Sequence, residues 1–293
     1  MQDNLIRGSV PAKAVEMLRL MRPRQWVKNG FVLAPLIFAG KFHEIEALLE
    51  AMLALTLFCV ASSATYIVND FRDMESDRQH PIKSKKRPLA AGTVTTKEAW
   101  ILLCVLYGLL GLGWIVAPQI YQAIVAYLLI NLAYSYYLKH QPVVDIFTIS
   151  LGFVLRVYAG ALAIGVPVSH WMFITTLCLS LYLAAVKRRK ELSQSGNKGR
   201  KVLQKYTVDL VDRYAEISAS GALLFYSMFV VSSRPELAIT IPLVLFGLFR
   251  YWYVVEVNEG GESPTDALLS DVQLMLVIIL WAATCVWALR PAA

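Results

Sequence analysis

Nine apolar stretches divide this 293-residue chain, and little sequence separates them. They fall near 25–40, 47–70, 98–117, 120–138, 143–165, 168–187, 214–233, 236–255 and 269–289. A hydrocarbon layer of about 30 Å needs roughly 20 apolar residues as a helix. Inside lipid every backbone N–H and C=O must be paired within the segment, so a run of that length is helical. The expected fold is therefore all-α: a polytopic membrane protein, a bundle of nine transmembrane helices. Composition agrees, with 57% hydrophobic residues and a mean hydropathy of +0.53, against about 45–50% apolar in soluble domains. The first stretch is short and contains Pro35, so a kink or an interfacial position is expected there. No polar segment is large enough to fold alone. Residues 1–293 are expected to form a single membrane-embedded domain.

Charge placement orients the bundle. Of the 28 Lys and Arg residues, all but Lys41, Arg156, Arg234 and Arg290 fall on one side if the N-terminus is cytoplasmic. They occupy the N-terminal segment 1–22, the inner ends of helices, and the loops at about 71–97 and 188–213. The positive-inside rule then places those loops, and the polar loop 256–268, in the cytosol. The chain is expected in the cytoplasmic (inner) membrane with its polar apparatus facing the cytosol. Residues 1–22 are charged and have no apolar core, so no cleaved signal peptide is expected. Cys59, Cys104, Cys178 and Cys285 each stand alone in an apolar run, which excludes paired-cysteine zinc or redox motifs. His43, His80, His140 and His170 have no metal-binding spacing. Nothing in the pattern calls for a nucleic-acid partner.

Asn69, Asp70, Asp73 and Asp77 form N-D-x-x-D-x-x-x-D where the second stretch ends. Carboxylates at a membrane edge are costly and read as functional. Asn69, Asp73 and Asp77 are spaced i, i+4, i+8, which places three oxygen ligands along one stripe of a helix. Such ligands suit Mg²⁺ shared with substrate phosphates. Asp70 lies off that stripe and either ligates or orients. The plainer reading is an acid-capped helix end paired with nearby cations. Arg72 and Arg78 lie among the acids and are candidates for phosphate contacts. The run Lys83-Ser84-Lys85-Lys86-Arg87 reads equally well as a topology signal drawn to anionic membrane lipid.

A second cluster, Lys187-Arg188-Arg189-Lys190-Glu191, closes the sixth stretch, with Tyr182 slightly deeper. Lys187 and Glu191 share a helix face, and the cations could hold a phosphate or diphosphate. Anchoring at the membrane surface is the alternative. A third set comprises Lys28, Asp145 and Arg156. Asp145 and Arg156 lie about three turns apart on a similar face, roughly 16 Å along the axis. Arg156 should face the bundle interior, either for a substrate anion or in an ion pair with another helix.

These residues resemble the UbiA superfamily of intramembrane prenyltransferases, nine-helix bundles marked by N-D-x-x-D-x-x-x-D at the end of the second helix. Most members carry a second Asp-rich motif near the end of the sixth, where this chain has Lys187 to Glu191. That departure is similar to the decaprenyl-phosphate phosphoribosyltransferase branch. Further matching blocks are Arg22-Pro23-Arg24-Gln25-Trp26-Val27-Lys28-Asn29, Arg87-Pro88-Leu89-Ala90-Ala91-Gly92, Lys139-His140-Gln141-Pro142-Val143-Val144-Asp145, Gly152-Phe153-Val154-Leu155-Arg156 and Gly261-Glu262-Ser263-Pro264-Thr265.

The resemblance implies transfer of 5-phosphoribosyl from 5-phosphoribosyl diphosphate to a membrane polyprenyl phosphate. It implies Mg²⁺ on Asn69, Asp73 and Asp77, with Asp70 beside them, as the catalytic group. Lys187, Arg188, Glu191 and Tyr182 would bind the donor's 5-phosphate and ribose. Lys28 and Arg156, with Arg72 and Arg78, would hold the remaining phosphates. An aromatic prenyltransferase using an isoprenyl diphosphate is the rival within the superfamily, and an anion transporter is a rival outside it. The lipid-facing surfaces leave room for a homo-oligomer.

Overall fold

The computed structural model describes residues 10–80, 82–195, 202–257, 267–268 and 270–290. The expected block 261–265, most of the loop 256–268, and Lys198, Arg200 and Lys201 lie outside the described residues, as do residues 1–9 of the N-terminal segment.

Among the described residues the chain is all-helical. In order it forms α1 (Val10–Met21), a 3-10 run (Pro23–Leu33), α2 (Ala34–Phe38), α3 (Ile45–Gln79), and the short α4 (Lys83–Lys86) and α5 (Pro88–Ala91). There follow α6 (Thr96–Val116), α7 (Tyr121–Tyr136), α8 (Val144–Ala163), α9 (His170–Ser195), α10 (Val208–Ser233), α11 (Ile241–Val257) and α12 (Val272–Ala288). Six segments are long and apolar enough to cross a membrane: α3, α6, α8, α9, α10, and α11 with the 3-10 turn before it. The 17-residue α12 is apolar but shorter, and α7 has 16 residues. The first expected span is a 3-10 run followed by five α-helical residues with Pro35 at their start. Proline has no N–H to donate and blocks a continuous α-helix through this point.

Local sequence explains the helix ends. Thr95 and Glu98 form a reciprocal capping box at the start of α6, satisfying donors that the first turn leaves open. Thr207 caps α10 through the Leu210 N–H, and Asp271 caps α12 through the Leu274 N–H. Pro88 opens α5, and Gly92, at φ 73°, closes it in the left-handed conformation that glycine adopts without strain.

The chain divides into two compact units. The first comprises residues 1–27 and 56–118. Its core packs Leu20 of α1 against Ala64 and Ile67 of α3, Leu89 of α5, and Leu103 and Leu106 of α6. Trp26 donates its indole N–H to Ser63 at 3.0 Å, which ties the start of the 3-10 run to α3. The second unit comprises residues 28–55 and 119–293. In it Val32 crosses α8 at Gly160, where a Cβ would lie 1.9 Å from the Val32 carbonyl oxygen. Only a glycine admits that approach. A larger core joins α9, α10, α11 and α12 around Tyr182, Val211, Tyr251 and Leu274.

Candidate active site

In the first unit, α3 continues past its apolar portion to Gln79 and carries all four residues of the acidic motif on regular helix. The motif does not form one stripe. Asn69 donates to Asp73 at 3.1 Å, whereas Asp70 and Asp77 meet a shared partner, Arg87. The reason is helical geometry. Each residue turns about 100°, so each four-residue step overshoots a full turn by about 40°. After two steps Asp77 has rotated about 80° away from Asn69 and lies only about 20° from Asp70 around the helix. Asp70 therefore shares its line with Asp77, which corrects the expectation that it stands apart.

The acids are paired with cations from outside α3. Arg87 reaches Asp70 at 3.0 Å and bonds Asp77 as well. Arg22 bonds Asp70 from the end of α1 and lies over the Tyr66 ring, 5.1 Å from its centre. Lys83 lies 3.8 Å from Asp77. Asp70 and Asp77 are both buried. Arg72 and Arg78, by contrast, are exposed, and Arg78 pairs with Glu75 one turn back at 3.5 Å. Sequence reasoning offers Arg72 and Arg78 as phosphate contacts and does not single out Arg22 or Arg87 as partners of the acids. Arg22 and Arg87 lie 48 and 17 residues from Asp70, and helix periodicity carries no such signal. The available clue was the Pro that follows each of them, since a proline opens a helix and fixes where the preceding residue stands.

The donor set fits a hard divalent cation. Carboxylate and amide oxygens are what Mg²⁺ takes, and it completes its shell with water and substrate phosphate rather than with an all-protein cage. The Asp70 Oδ2 atom is buried with no hydrogen-bond partner. A buried acceptor left unpaired is costly, and a cation would satisfy it. Among the described residues, no three acidic, His or Cys side chains are grouped to hold a metal ion by themselves, so an ion held here would need further ligands such as water or substrate oxygens.

In the second unit, the cluster at the end of α9 is built around Arg188, which is fully buried. Its Nε donates to Asp145 at 2.7 Å, its Nη1 to Glu191, and its Nη2 to the Tyr134 hydroxyl at 3.1 Å. Tyr206 donates to the other Asp145 oxygen at 2.7 Å and accepts from the Val143 N–H at 2.5 Å. Burial pushes the Tyr206 hydroxyl pKa well above its ordinary value. This hydroxyl therefore stays a proton donor. Lys187 lies 3.8 Å from Glu191 and keeps 29% of its side chain exposed. Arg189 links α9 to Asp212 of α10 at 2.7 Å and to Glu256 of α11 at 2.9 Å. Tyr182 lies deeper, donating to the Leu248 carbonyl at 2.7 Å and packing on Tyr251 and Trp252. Its hydroxyl is engaged with backbone inside the core.

Arg156, also buried, faces the interior as expected. Its Nε donates to Asn29 at 2.7 Å, Nη1 to the Gly152 carbonyl at 2.7 Å, and Nη2 to the Tyr127 hydroxyl at 3.1 Å. It also lies 4.8 Å from the centre of the Tyr127 ring. Asp145 pairs with Arg188 rather than with its helix-mate Arg156. The contact with Asn29 holds the 3-10 run that carries Lys28. Tyr127, Tyr134, Tyr206 and Asn29 were all absent from the sequence reading of the site. Each joins it through a tertiary contact made by an ordinary core or loop residue.

Comparisons with known proteins identify the family. The chain is 36% identical to decaprenyl-phosphate phosphoribosyltransferase of Mycobacterium tuberculosis over 96% of its length and 94% of that protein's. It is 32% identical to the protein of the same name from Corynebacterium glutamicum, over 98% and 90% of the two chains. Its fold is similar to that of a UbiA homologue from Archaeoglobus fulgidus solved with GPP and Mg²⁺, with a TM-score of 0.70 at 20% identity over 94% and 99% of the two chains. The profile of the UbiA prenyltransferase family matches residues 31–266, and on that match, with relatives similar along almost their full length, the chain belongs to this enzyme family.

Proposed function

We propose that this protein transfers a 5-phosphoribosyl group from 5-phosphoribosyl diphosphate to a membrane polyprenyl phosphate, releasing diphosphate. The observation that carries the reading is the cluster at Lys187–Glu191. An aromatic prenyltransferase of this family needs acids there for its diphosphate-bound metal. This chain instead buries a guanidinium between two carboxylates and keeps Lys187 at the edge. Similarity to phosphoribosyltransferases along nearly the whole chain supports the same choice.

In this reading Asn69, Asp73 and Asp77, with Asp70 beside them, hold Mg²⁺, which supplies charge neutralisation on the leaving diphosphate. Lys187 contacts the donor's 5-phosphate. Glu191 binds ribose hydroxyls, and Arg188 fixes Glu191 and Asp145 from within. Tyr182 backs this cluster through its packing. Lys28 holds an acceptor or donor phosphate, with Arg156 fixing the backbone that carries it, and Arg72 and Arg78 attract the anionic donor from solution. The acceptor phosphate is already an anionic nucleophile, so it needs little base catalysis. Attack opposite the diphosphate inverts the anomeric carbon. Positioning and electrostatic stabilisation of an oxocarbenium-like transition state supply most of the rate.

The chain would act as one transferase domain of nine membrane-crossing segments, with a cytoplasmic N-terminus and a site open to the cytosol of the inner membrane. The test is mass spectrometry of lipid products from purified protein with Mg²⁺. One arm offers 5-phosphoribosyl diphosphate with polyprenyl phosphate, the other an isoprenyl diphosphate with an aromatic acid. Phosphoribosylated lipid in the first arm alone is expected. A prenylated aromatic product alone would overturn the proposal.

A further inference from the structure

Asp70 and Asp77 are two buried carboxylates on one line of α3, and a single guanidinium bridges them. With Arg22 on Asp70 and Lys83 near Asp77, two negative charges face three positive ones. A site meant to receive a divalent cation is thus already neutralised from within the protein. Arg87 is the cation placed to respond to a ligand on these acids, because its one guanidinium bonds both of them. It stands between the four-residue helices α4 and α5, with 18% of its side chain exposed against 25% for Arg22 and 35% for Lys83. Its backbone is fixed because the neighbouring Leu89 is buried in the core of this unit. The side chain can therefore leave the acids while the loop stays in place. Meanwhile one oxygen of Asp70 has no hydrogen-bond partner, so the internal cations do not satisfy the site fully.

We propose that Arg87 is a resident counter-cation, which a divalent metal displaces from Asp70 and Asp77 and which then binds the diphosphate arriving with that metal. Guanidinium suits both positions, since its planar fork matches carboxylate and phosphate oxygens alike. The exchange conserves charge pairing at each stage. Before loading, Arg87 balances the acids; afterwards the metal balances them and Arg87 faces phosphate. Bare metal binds weakly because it must evict a cation, and metal diphosphate binds well because the evicted cation gains a partner. The inference rests on reading these acids as metal ligands, and not on which diphosphate donor the enzyme uses.

The experiment titrates Mn²⁺, an ion with the same preference for oxygen ligands, into the full-length protein in detergent. Free Mn²⁺ is followed by electron paramagnetic resonance, with and without inorganic pyrophosphate. Without pyrophosphate, Arg87→Gln is expected to bind Mn²⁺ about tenfold tighter than wild type, because a nearby positive charge has gone. With pyrophosphate the order reverses, and the variant binds the metal diphosphate about tenfold more weakly. Arg87→Lys keeps a charge but cannot bridge two carboxylates, so about threefold tighter binding of bare Mn²⁺ is expected. This variant carries the test if the Gln variant fails to fold. Equal affinity of wild type and either variant for bare Mn²⁺ would overturn the proposal. So would a gain by Arg87→Gln that persists with pyrophosphate. Failure of phosphoribosyl transfer would leave these outcomes unaffected, since pyrophosphate is common to both donor classes.

Discussion

Replacing Asp145 by Asn tests the second cluster most directly. Asp145 and Arg188 are both fully buried, 2.7 Å apart. Even at an effective dielectric constant of about 20, two unit charges at that separation attract by about 6 kcal/mol. Desolvation of the pair offsets most of that gain, so the intact pair adds little net stability. Breaking it is another matter. Asp145→Asn leaves the Arg188 Nε facing a neutral amide and weakens the bond from Tyr206. One buried charge left undercompensated costs about 3–5 kcal/mol. Glu191 and Tyr134 still bond the guanidinium, so the lower end of that range is expected. The second arm is Asp145→Leu combined with Arg188→Met. Removing both charges removes the penalty, so the double variant should recover most of the stability lost by the single one, while phosphoribosyl transfer stays absent. Stability is read by denaturant titration in a fixed detergent, and transfer by lipid product. A double variant no more stable than Asp145→Asn would refute the claim that an unpaired buried charge is what destabilises. An active double variant would show that the cluster does not organise the site.

Three further outcomes are expected. Asp73→Ala should lower turnover by about 10²-fold or more while leaving the helix bundle folded, and metal chelation should abolish wild-type turnover reversibly; product formation at wild-type rate in the variant would dismiss the metal role. Gly160→Ala would place a methyl group 1.9 Å from the Val32 carbonyl oxygen; overpacking of this kind costs about 1–3 kcal/mol, and an unchanged unfolding midpoint would show that the 3-10 run does not pack there. Asp271 accepts two bonds from Arg250, at 3.0 and 2.7 Å, which with the Leu274 N–H hold its carboxyl below the ordinary carboxylate value. A depressed carboxylate pKa contributes stability above the unfolded value, near pH 4, and loses it as pH falls through the folded one. Asp271→Asn should therefore flatten the acid limb of stability below about pH 4, and an unaltered limb would count against the pair.

Hydrophobic length and charge asymmetry were enough to foresee an all-helical membrane protein, because lipid leaves the backbone so few choices. Pro35 also signals a kink or an interfacial position in the first stretch, but nothing signals the long 3-10 run before it. In the expected stretch 25–40, Pro23 and Pro35 interrupt the α-helical ladder, and the segment forms a 3-10 run and five α-helical residues seated on Gly160. The acidic motif was visible because spacing along one helix is a local property. Its pairing was not visible. An i, i+4, i+8 reading ignores a drift of about 40° per step, and that drift is what brings Asp77 to Asp70 and both to Arg87.

The same distinction governs the basic cluster. The resemblance singles out Lys187 and Arg188 without dividing their tasks, and burial separates them. Arg188 has no exposure and three partners within the protein. Arg189 is held by acids on two other helices. Lys187 pairs with Glu191 at the long distance of 3.8 Å and remains partly exposed. A substrate phosphate must find a donor whose bonds can be exchanged at small cost. By that criterion the proposed phosphate contact falls to Lys187, with Arg188 holding the framework. Lys187→Ala should therefore raise KM for phosphoribosyl diphosphate with folding intact, whereas Arg188→Ala should fail at the level of stability.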